Sequence, residues 1–378
     1  MEIAVQSILS PGFIEQSMFH PKIACYPDGR LLLTIQSIGG SDYYGPVLAS
    51  YSQDRGYSWS KPEPIPTLGW SQPDASGVVE GTCDVVPDFD PASGRMLAIG
   101  HNVFYRDNHF YDTYGDWNRQ SRNDKLPRRA CYCVQQDDGS WGDRKLLVAE
   151  EFADRNCFVC GCSQKVIRAN GEWLLPFYLR QDNDNQACSV AVYRARFDGQ
   201  EMRLGARGNI LELAKFRGLL EPSLCEFQGK LYLTLRAEDG NAYWSRAGED
   251  LCFEPIQPWG FDDGTCLVTS STQQHFLSLG GKLFLLYVRN NGRNAKVPRF
   301  RAPLYLAEVD TAKMQLCRDS EQVVLPMDGD WRKPETVSYS GNFLPRAISD
   351  REALVSDASI KPKLGYQGLT QIARIYTA

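Results

Sequence analysis

A hairpin that the chain writes six times constrains its fold more than any other feature of the sequence. The clearest copy is Glu221-Pro-Ser-Leu-Cys-Glu-Phe-Gln-Gly-Lys-Leu-Tyr-Leu-Thr-Leu-Arg236. It reads as a strand, a tight turn at Gln228-Gly229 and a second strand that alternates polar and apolar residues. An antiparallel turn folds the second strand back along the first. The carboxylate that opens the copy and the guanidinium that closes it therefore arrive at one end. Recurrence of this plan, with polar residues at the same end each time, predicts a circular β fold around a polar pocket.

The other copies span residues 23–36, with a Pro-Asp-Gly turn, and residues 84–101, 164–180 and 274–289, turning at Gly94, Gly171 and Gly281. A weaker sixth runs from Gly341 through Glu352-Ala-Leu-Val-Ser-Asp to the terminal Gln371-Ile-Ala-Arg-Ile-Tyr. That last strand is expected to close the ring against Ile3-Ala-Val. Six small antiparallel sheets with no dividing linker predict an all-β chain, a single six-bladed β-propeller over residues 1–378. The 32 glycines and 21 prolines agree, because they favour many short strands over long helices.

Several function classes are set aside by composition. A net charge of -5 gives no attraction to nucleic acid or to an anionic membrane, and no apolar run approaches the ~18 residues of a membrane span. The start, Met-Glu-Ile-Ala-Val-Gln-Ser-Ile-Leu-Ser, lacks a basic segment followed by an apolar one, so a cytoplasmic location is expected unless a signal has been removed. The twelve cysteines are then free thiols serving as small core residues. Cys157-x-x-Cys160-x-Cys162 lacks a second spaced ligand pair, and His101, Asp107, His109 and Asp112 are irregularly spaced in a loop context. Neither set is taken as a metal site, and no cofactor is expected.

Aligning the copies on their turn glycines gives two polar series. His20, Asp84, Gln164, Glu221 and Gln274-His275 open first strands, while Gln36, His101, Arg180, Arg236 and Arg289 close second strands. With the turns at the far end, both series should lie at one mouth. Convergent polar groups of this kind make a binding site, and arginines among them favour an anionic ligand. A polar, aromatic insertion at roughly residues 103–127 has the length of a substrate-covering loop.

One further motif carries a resemblance. Ser52-x-Asp54-x-Gly56-x-x-Trp59 has the spacing of the Asp box of sialidases and related β-propellers, in which Ser and Asp bond turn backbone, Gly takes a positive φ and Trp packs beneath. Together with the Glu221…Arg236 hairpin it resembles the sialidase superfamily of glycosidases. In sialidases the corresponding Glu polarises a tyrosine nucleophile, and the Arg belongs to a triad that grips the sialic acid carboxylate. Where sialidases carry the first triad arginine, in Arg-Ile-Pro, this chain reads His20-Pro21-Lys22, which argues against classical sialidase activity. The loop aspartate of that family would be Asp42. Gly100-His101, Gly161-Cys-x-Gln164, Leu220-Glu-Pro-Ser223, Gln273-Gln-His275 and Arg299-Phe-Arg-Ala-Pro-Leu304 are similar to sialidase-like bacterial propellers. Related propellers that degrade plant polysaccharides use a pocket histidine, a role for which His20 is the candidate.

Three functions follow as expectations. The first is an exo-acting glycoside hydrolase that removes a terminal acidic or deoxy sugar from an oligosaccharide or polysaccharide. There His20 or Glu221 is the general acid/base, Asp84 the candidate second carboxylate, and Arg236, Arg289 and Arg301 hold the anion, with Arg180, Gln164, Gln274 and His275 as further substrate contacts. The second is a polysaccharide lyase, with His20, His101 or Tyr105 abstracting the proton α to a uronate carboxylate that arginines neutralise. The third is a non-catalytic glycan-binding propeller, against which the His, Arg and Glu content argues.

Overall fold

The computed structural model describes residues 1–8, 18–40, 42–110, 126–183 and 187–377. Among them the chain is strands, turns and short 3-10 turns, with no α-helix. The first sheet holds Met18–Cys25, Leu31–Gly40, Tyr43–Ser52 and Glu63–Pro64 in chain order. A ten-stranded sheet follows. Its first part is built on Val79–Asp90, Arg95–Arg106 and Arg128–Val134, and its second on Glu172–Leu179, Ser189–Phe197 and Met202–Arg207. The two parts meet through Cys157–Val159, whose parallel pairing to Arg128–Val134 covers only two residue pairs. Leu220–Phe227 opens the next sheet and His275–Leu279 the one after. The last sheet runs Leu344–Ala347, Glu352–Lys361, Gln367–Tyr376 and finally the N-terminal Glu2–Ile8. Ile3 stands opposite Ile375 and Val5 opposite Ala373, the expected pairing of the two chain ends.

Side-chain alternation explains why these sheets pack in a ring. Successive residues of a strand point to opposite faces, and here both faces are covered by neighbouring sheets. Leu97 and Ile99 pack with Trp173, Leu175 and Phe177 of the strand Glu172–Leu179. Met96 and Ala98, one residue out of step, pack with Leu32 and Ala49 of the first sheet. Leu285 likewise joins Tyr232 and Trp259, whereas Leu286 joins Val355 and Ala373 of the last sheet. The runs Leu31-Leu-Leu and Leu283-Phe-Leu-Leu are apolar at consecutive positions because neither face meets water. Ile23, Leu31, Leu33 and Ile35 pack on Leu354 and Ile372, so the first sheet lies against the last in a β-propeller arrangement.

The turn after Tyr43–Ser52 has the bonding that its spacing predicts. Gly56 N donates to Ser52 Oγ at 2.7 Å, Ser58 N donates to Asp54 Oδ1 at 2.8 Å, and the Trp59 indole donates to Gly56 O at 3.1 Å. Gly56 has φ 82°, and Trp59 is buried against Leu31 and Leu354. All twelve cysteines are free.

Candidate functional site

Three first strands share one irregularity at their entrances. Pairing jumps from Phe19–Gln36 to Lys22–Thr34, from Cys83–His101 to Val86–Ile99, and from Leu220–Arg236 to Ser223–Thr234. Each strand thus holds one residue more than its partner, a β-bulge that re-aims a side chain. The residue after the last regular pair is left-handed every time: His20 at φ 52°, Asp84 at φ 56° and Glu221 at φ 40°. A left-handed conformation costs a non-glycine residue about 1–2 kcal/mol, and strain of this kind collects at functional sites. Cys162 at φ 57° and Ser271 at φ 45° occupy the entrances to the strands that begin at Val166 and His275.

A cavity of about 340 Å³ opens where these strands begin. Its wall carries His20, Asp84, Glu221 and Asp42, together with six arginines: Arg128, Arg180, Arg217, Arg236, Arg299 and Arg301. Tyr44, Tyr178, Tyr339, Tyr366 and Asn342 add further polar groups to the lining. With six guanidinium groups against three carboxylates, the cavity favours an anionic ligand.

Arg236 Nη1 donates to Glu221 Oε1 at 2.5 Å. Burial pushes the Glu221 carboxyl up, but the charge and hydrogen bond of Arg236, aided by Gln273 and Arg217, outweigh it and hold the group at about 2. Glu221 is therefore ionised throughout the neutral range. Arg236 also donates to Ser271 Oγ at 2.9 Å, and Arg217 Nε donates to Glu238 at 2.7 Å. Arg180 Nη1 donates to Asn156 at 3.2 Å. Arg299 and Arg301 form no ion pair with the described residues. Burial, then the neighbouring Arg301, Arg236 and Arg217, bring Arg299 down to about 10, and burial followed by Arg236 lowers Arg301.

On another part of the wall His20 Nε2 lies 3.1 Å from Asp84 Oδ1, and His101 Nε2 lies 3.7 Å from Asp84 Oδ2. Burial depresses both imidazoles to about 3, reinforced by Lys22 for His20 and by Arg128 for His101. The Asp84 carboxylate is flanked at neutral pH by two uncharged rings.

Of the residues expected from sequence, the structure brings His20, Asp42, Asp84, Glu221, Arg180, Arg236 and Arg301 together on this wall. His101 is fully buried behind Asp84. Gln164, Gln274 and His275 lie off the wall. The Gln164 amide exchanges two 2.7 Å bonds with the backbone of Phe276 and ties two sheets together. Gln274 donates to Thr272 O, and His275 Nδ1 lies 2.7 Å from Ser223 Oγ. Counting from turn glycines misses the entrance because the left-handed residues are Cys162 and Ser271, two and three positions earlier than Gln164 and Gln274. Arg289 is also elsewhere, bound to Glu321 at 2.6 Å and lying over the Tyr305 ring.

The expected covering loop divides. Residues 103–106 continue the strand Arg95–Arg106, and His109–Phe110 pairs back on it. Val103 and Phe110 reach the cavity. Tyr105 is buried against Tyr43 and Trp70 and accepts a hydrogen bond from Tyr44 N, so it is a packing residue and not a base on a loop. Asp107 and His109 are exposed, while residues 111–125, Asp112 among them, lie outside the described residues. Arg128, Arg217 and Arg299 were not legible as site residues. Arg299 had a signal, since it stands two residues from Arg301 in one motif; the other two are carried by strand and loop ends that only tertiary packing brings inward.

No protein-family model matches the chain, and no curated protein matches it. Solved structures do. A protein of unknown function from Dyadobacter fermentans DSM 18053 aligns over 100% of this chain and 99% of its own, with TM-score 0.68 and 14% identity. The K499G mutant of NanB sialidase from Streptococcus pneumoniae aligns over 98% of this chain and 70% of its own, with TM-score 0.66 and 13% identity. Trypanosoma rangeli sialidase, also solved in complex with sialic acid, aligns over 95% of this chain at TM-score 0.63 and 15% identity. This chain spans about 55% of that protein's length. At such identities the likeness is one of fold: a sialidase-like β-propeller.

Proposed function

We propose that the chain is a single six-bladed propeller domain over residues 1–378 and an exo-acting glycoside hydrolase that removes a terminal anionic sugar. The blade count takes the ten-stranded sheet as two blades, because only the two-residue parallel pair joins its parts. Apolar clusters between every consecutive pair of the resulting blades support it, as does the Asp-box bonding at Ser52–Trp59. The carrying observation is the cavity itself, where six arginines and three carboxylates converge in about 340 Å³. That volume is at the small end for ligand sites and suits one sugar residue.

In this reading Arg236, Arg299 and Arg301 hold the substrate anion; the T. rangeli sialidase of similar fold is solved in complex with sialic acid, itself an acidic sugar. Asp84 and Glu221 are the carboxylate pair. Glu221, ionised beside Arg236, stabilises positive charge at the anomeric carbon, and Asp84, set against His20, handles the proton. The glycosidic C–O bond breaks, the leaving oxygen takes a proton from Asp84, and water gives its hydroxyl to the anomeric carbon and its remaining proton back to Asp84.

A lyase acting beside a uronic acid is the second reading. It is favoured by the uncharged His20 ring at Asp84 in an arginine-rich cavity. One experiment separates the two: a panel of acidic oligosaccharides digested with wild type, Asp84→Asn and Glu221→Gln, followed by reducing-sugar release and near-ultraviolet absorbance. New reducing ends without absorbance, lost in both variants, support the hydrolase. Absorbance that rises with cleavage overturns it in favour of the lyase.

A further inference from the structure

Asp84 is the centre of a cluster whose cysteines the glycosidic chemistry does not use. Cys162 joins His20 and Asp84 so that His20 nitrogen, Asp84 oxygen and Cys162 sulfur all lie within 4.8 Å of one another. Cys83 and His101 make a second such set on the same carboxylate. All four side chains around Asp84 are buried. His20, Asp84 and Cys162 come from three successive strand entrances, and each occupies its left-handed position. Three separate stretches of backbone are thus bent to one point and deliver an imidazole, a carboxylate and a thiol.

We propose that His20, Asp84 and Cys162 bind a divalent cation of the zinc type. The donor set decides the class of ion. Thiolate and imidazole with one carboxylate suit Zn²⁺, whereas Mg²⁺ and Ca²⁺ take oxygen ligands. Donors on a four-coordinate zinc with bonds of ~2.0–2.3 Å stand ~3.5 Å apart, and the 3.1 Å between His20 Nε2 and Asp84 Oδ1 is already of that order. The second set is the poorer one, because Arg128 Nη2 sits in hydrogen-bond contact with His101 Nε2 and covers that lone pair. Lys22, the other nearby cation, points away and donates to the carbonyls of Asn342 and Phe343.

Binding balances in protons and charge. Cys162 releases its thiol proton to solvent and the His20 proton moves to Nδ1. The dication is then neutralised within its own ligands by one thiolate and one carboxylate, so no net positive charge is set against the arginines. Uptake therefore strengthens with rising pH. Three protein ligands leave a fourth position, and since His20 and Asp84 both line the cavity, that position faces it. A site with one open position is of the catalytic kind, where the ion carries a water. A water on that ion would be placed to exchange a proton with a ligand in the cavity, beside the Asp84 carboxylate that would hold the ion.

The test needs no sugar, so it stands or falls apart from the hydrolase reading. The full chain is stripped with chelator and titrated with Co²⁺ alone and with Zn²⁺ alone, reading metal content and the cobalt spectrum. Expected are one ion per chain and a near-ultraviolet sulfur-to-cobalt band. The band should vanish in Cys162→Ser, persist in Cys83→Ser, and be displaced by Zn²⁺. His20→Gln should weaken Co²⁺ binding at least tenfold while keeping the circular dichroism of the wild type. No ion retained by the correctly folded wild type overturns the proposal. So does a band that survives Cys162→Ser and disappears in Cys83→Ser, or in the double variant of the exposed Cys252 and Cys266.

Discussion

Arg236 Nη1 and Glu221 Oε1 meet at 2.5 Å although fifteen positions separate them along the chain. The hairpin between them returns Arg236 to the pairing position of Leu220, and the bulge that follows turns Glu221 inward to reach it. Both groups are largely buried. Breaking such a pair leaves an uncompensated charge in the interior.

Glu221→Ala and Arg236→Ala should therefore each lower the unfolding free energy by about 3–5 kcal/mol. The double variant should lose less than the sum of the two, because the second substitution removes the charge that the first left stranded. Urea denaturation of all four proteins gives the coupling; strictly additive losses would mean that the pair contributes nothing as a pair.

The turn at Ser52–Trp59 locks the first sheet to the last. Trp59 packs on Leu354, the Tyr57 ring lies under the Arg374 guanidinium, and Gln6 donates to Tyr57 O at 2.8 Å. Trp59→Ala should cost about 3–5 kcal/mol, as for other buried large-to-small changes. Asp54→Ala, which removes the bond from Ser58 N, should cost about 1 kcal/mol. Hydrogen exchange should show the loss concentrated in Glu2–Ile8 and Gln367–Tyr376. Uniform destabilisation would contradict a seam at this place.

Asp357 gives a pH signature. It is buried, its Oδ2 has no hydrogen-bond partner, and burial pushes its carboxyl to about 6 against the bonds from Ser340 and Ala358 N. The folded chain then holds a proton that the unfolded chain has released, so stability falls as pH rises through the window from about 4 to about 6. Asp357→Asn should remove that slope. Above about pH 7 it should be the more stable protein by roughly 3 kcal/mol, at about 1.4 kcal/mol for each pKa unit. Parallel melting curves for the two proteins across the window would refute this.

The fold was legible because apolar alternation and turn glycines repeat, and those are local properties of the chain. The mouth of the cavity was legible where a polar group stood at a strand entrance, as at His20, Asp84 and Glu221, or an arginine at a strand end or in a motif, as at Arg180, Arg236 and Arg301. Gln164 and Gln274 misled for a physical reason: the left-handed Cys162 and Ser271 lie ahead of the regular pairing that begins at Val166 and His275, so counting back from the turn stops two and three positions short of the entrance. Arg289 misled because a strand end and a pocket wall have the same sequence signature, and the Glu321 that captures it lies 32 positions away. Arg128 and Arg217 reach the cavity through tertiary contacts that no spacing encodes.

Arg301 offers the sharpest separation of stability from function. It forms no ion pair with the described residues, its Nε is buried without a partner, and Arg236 repels it. A cation held in that state destabilises the empty protein and serves only a ligand that neutralises it. Arg301→Gln should accordingly raise the melting temperature of the unliganded chain. It should also weaken binding of an acidic monosaccharide such as glucuronate or N-acetylneuraminate by about ten- to a hundredfold, the loss of one charge-assisted bond of roughly 1.5–3 kcal/mol. Calorimetric titration and melting curves of the same two proteins read both quantities. If Arg301→Gln melts lower than the parent, the guanidinium is a structural element and the anion is held by Arg236 and Arg299 alone. If it melts higher yet binds the sugar unchanged, the anion does not sit against Arg301.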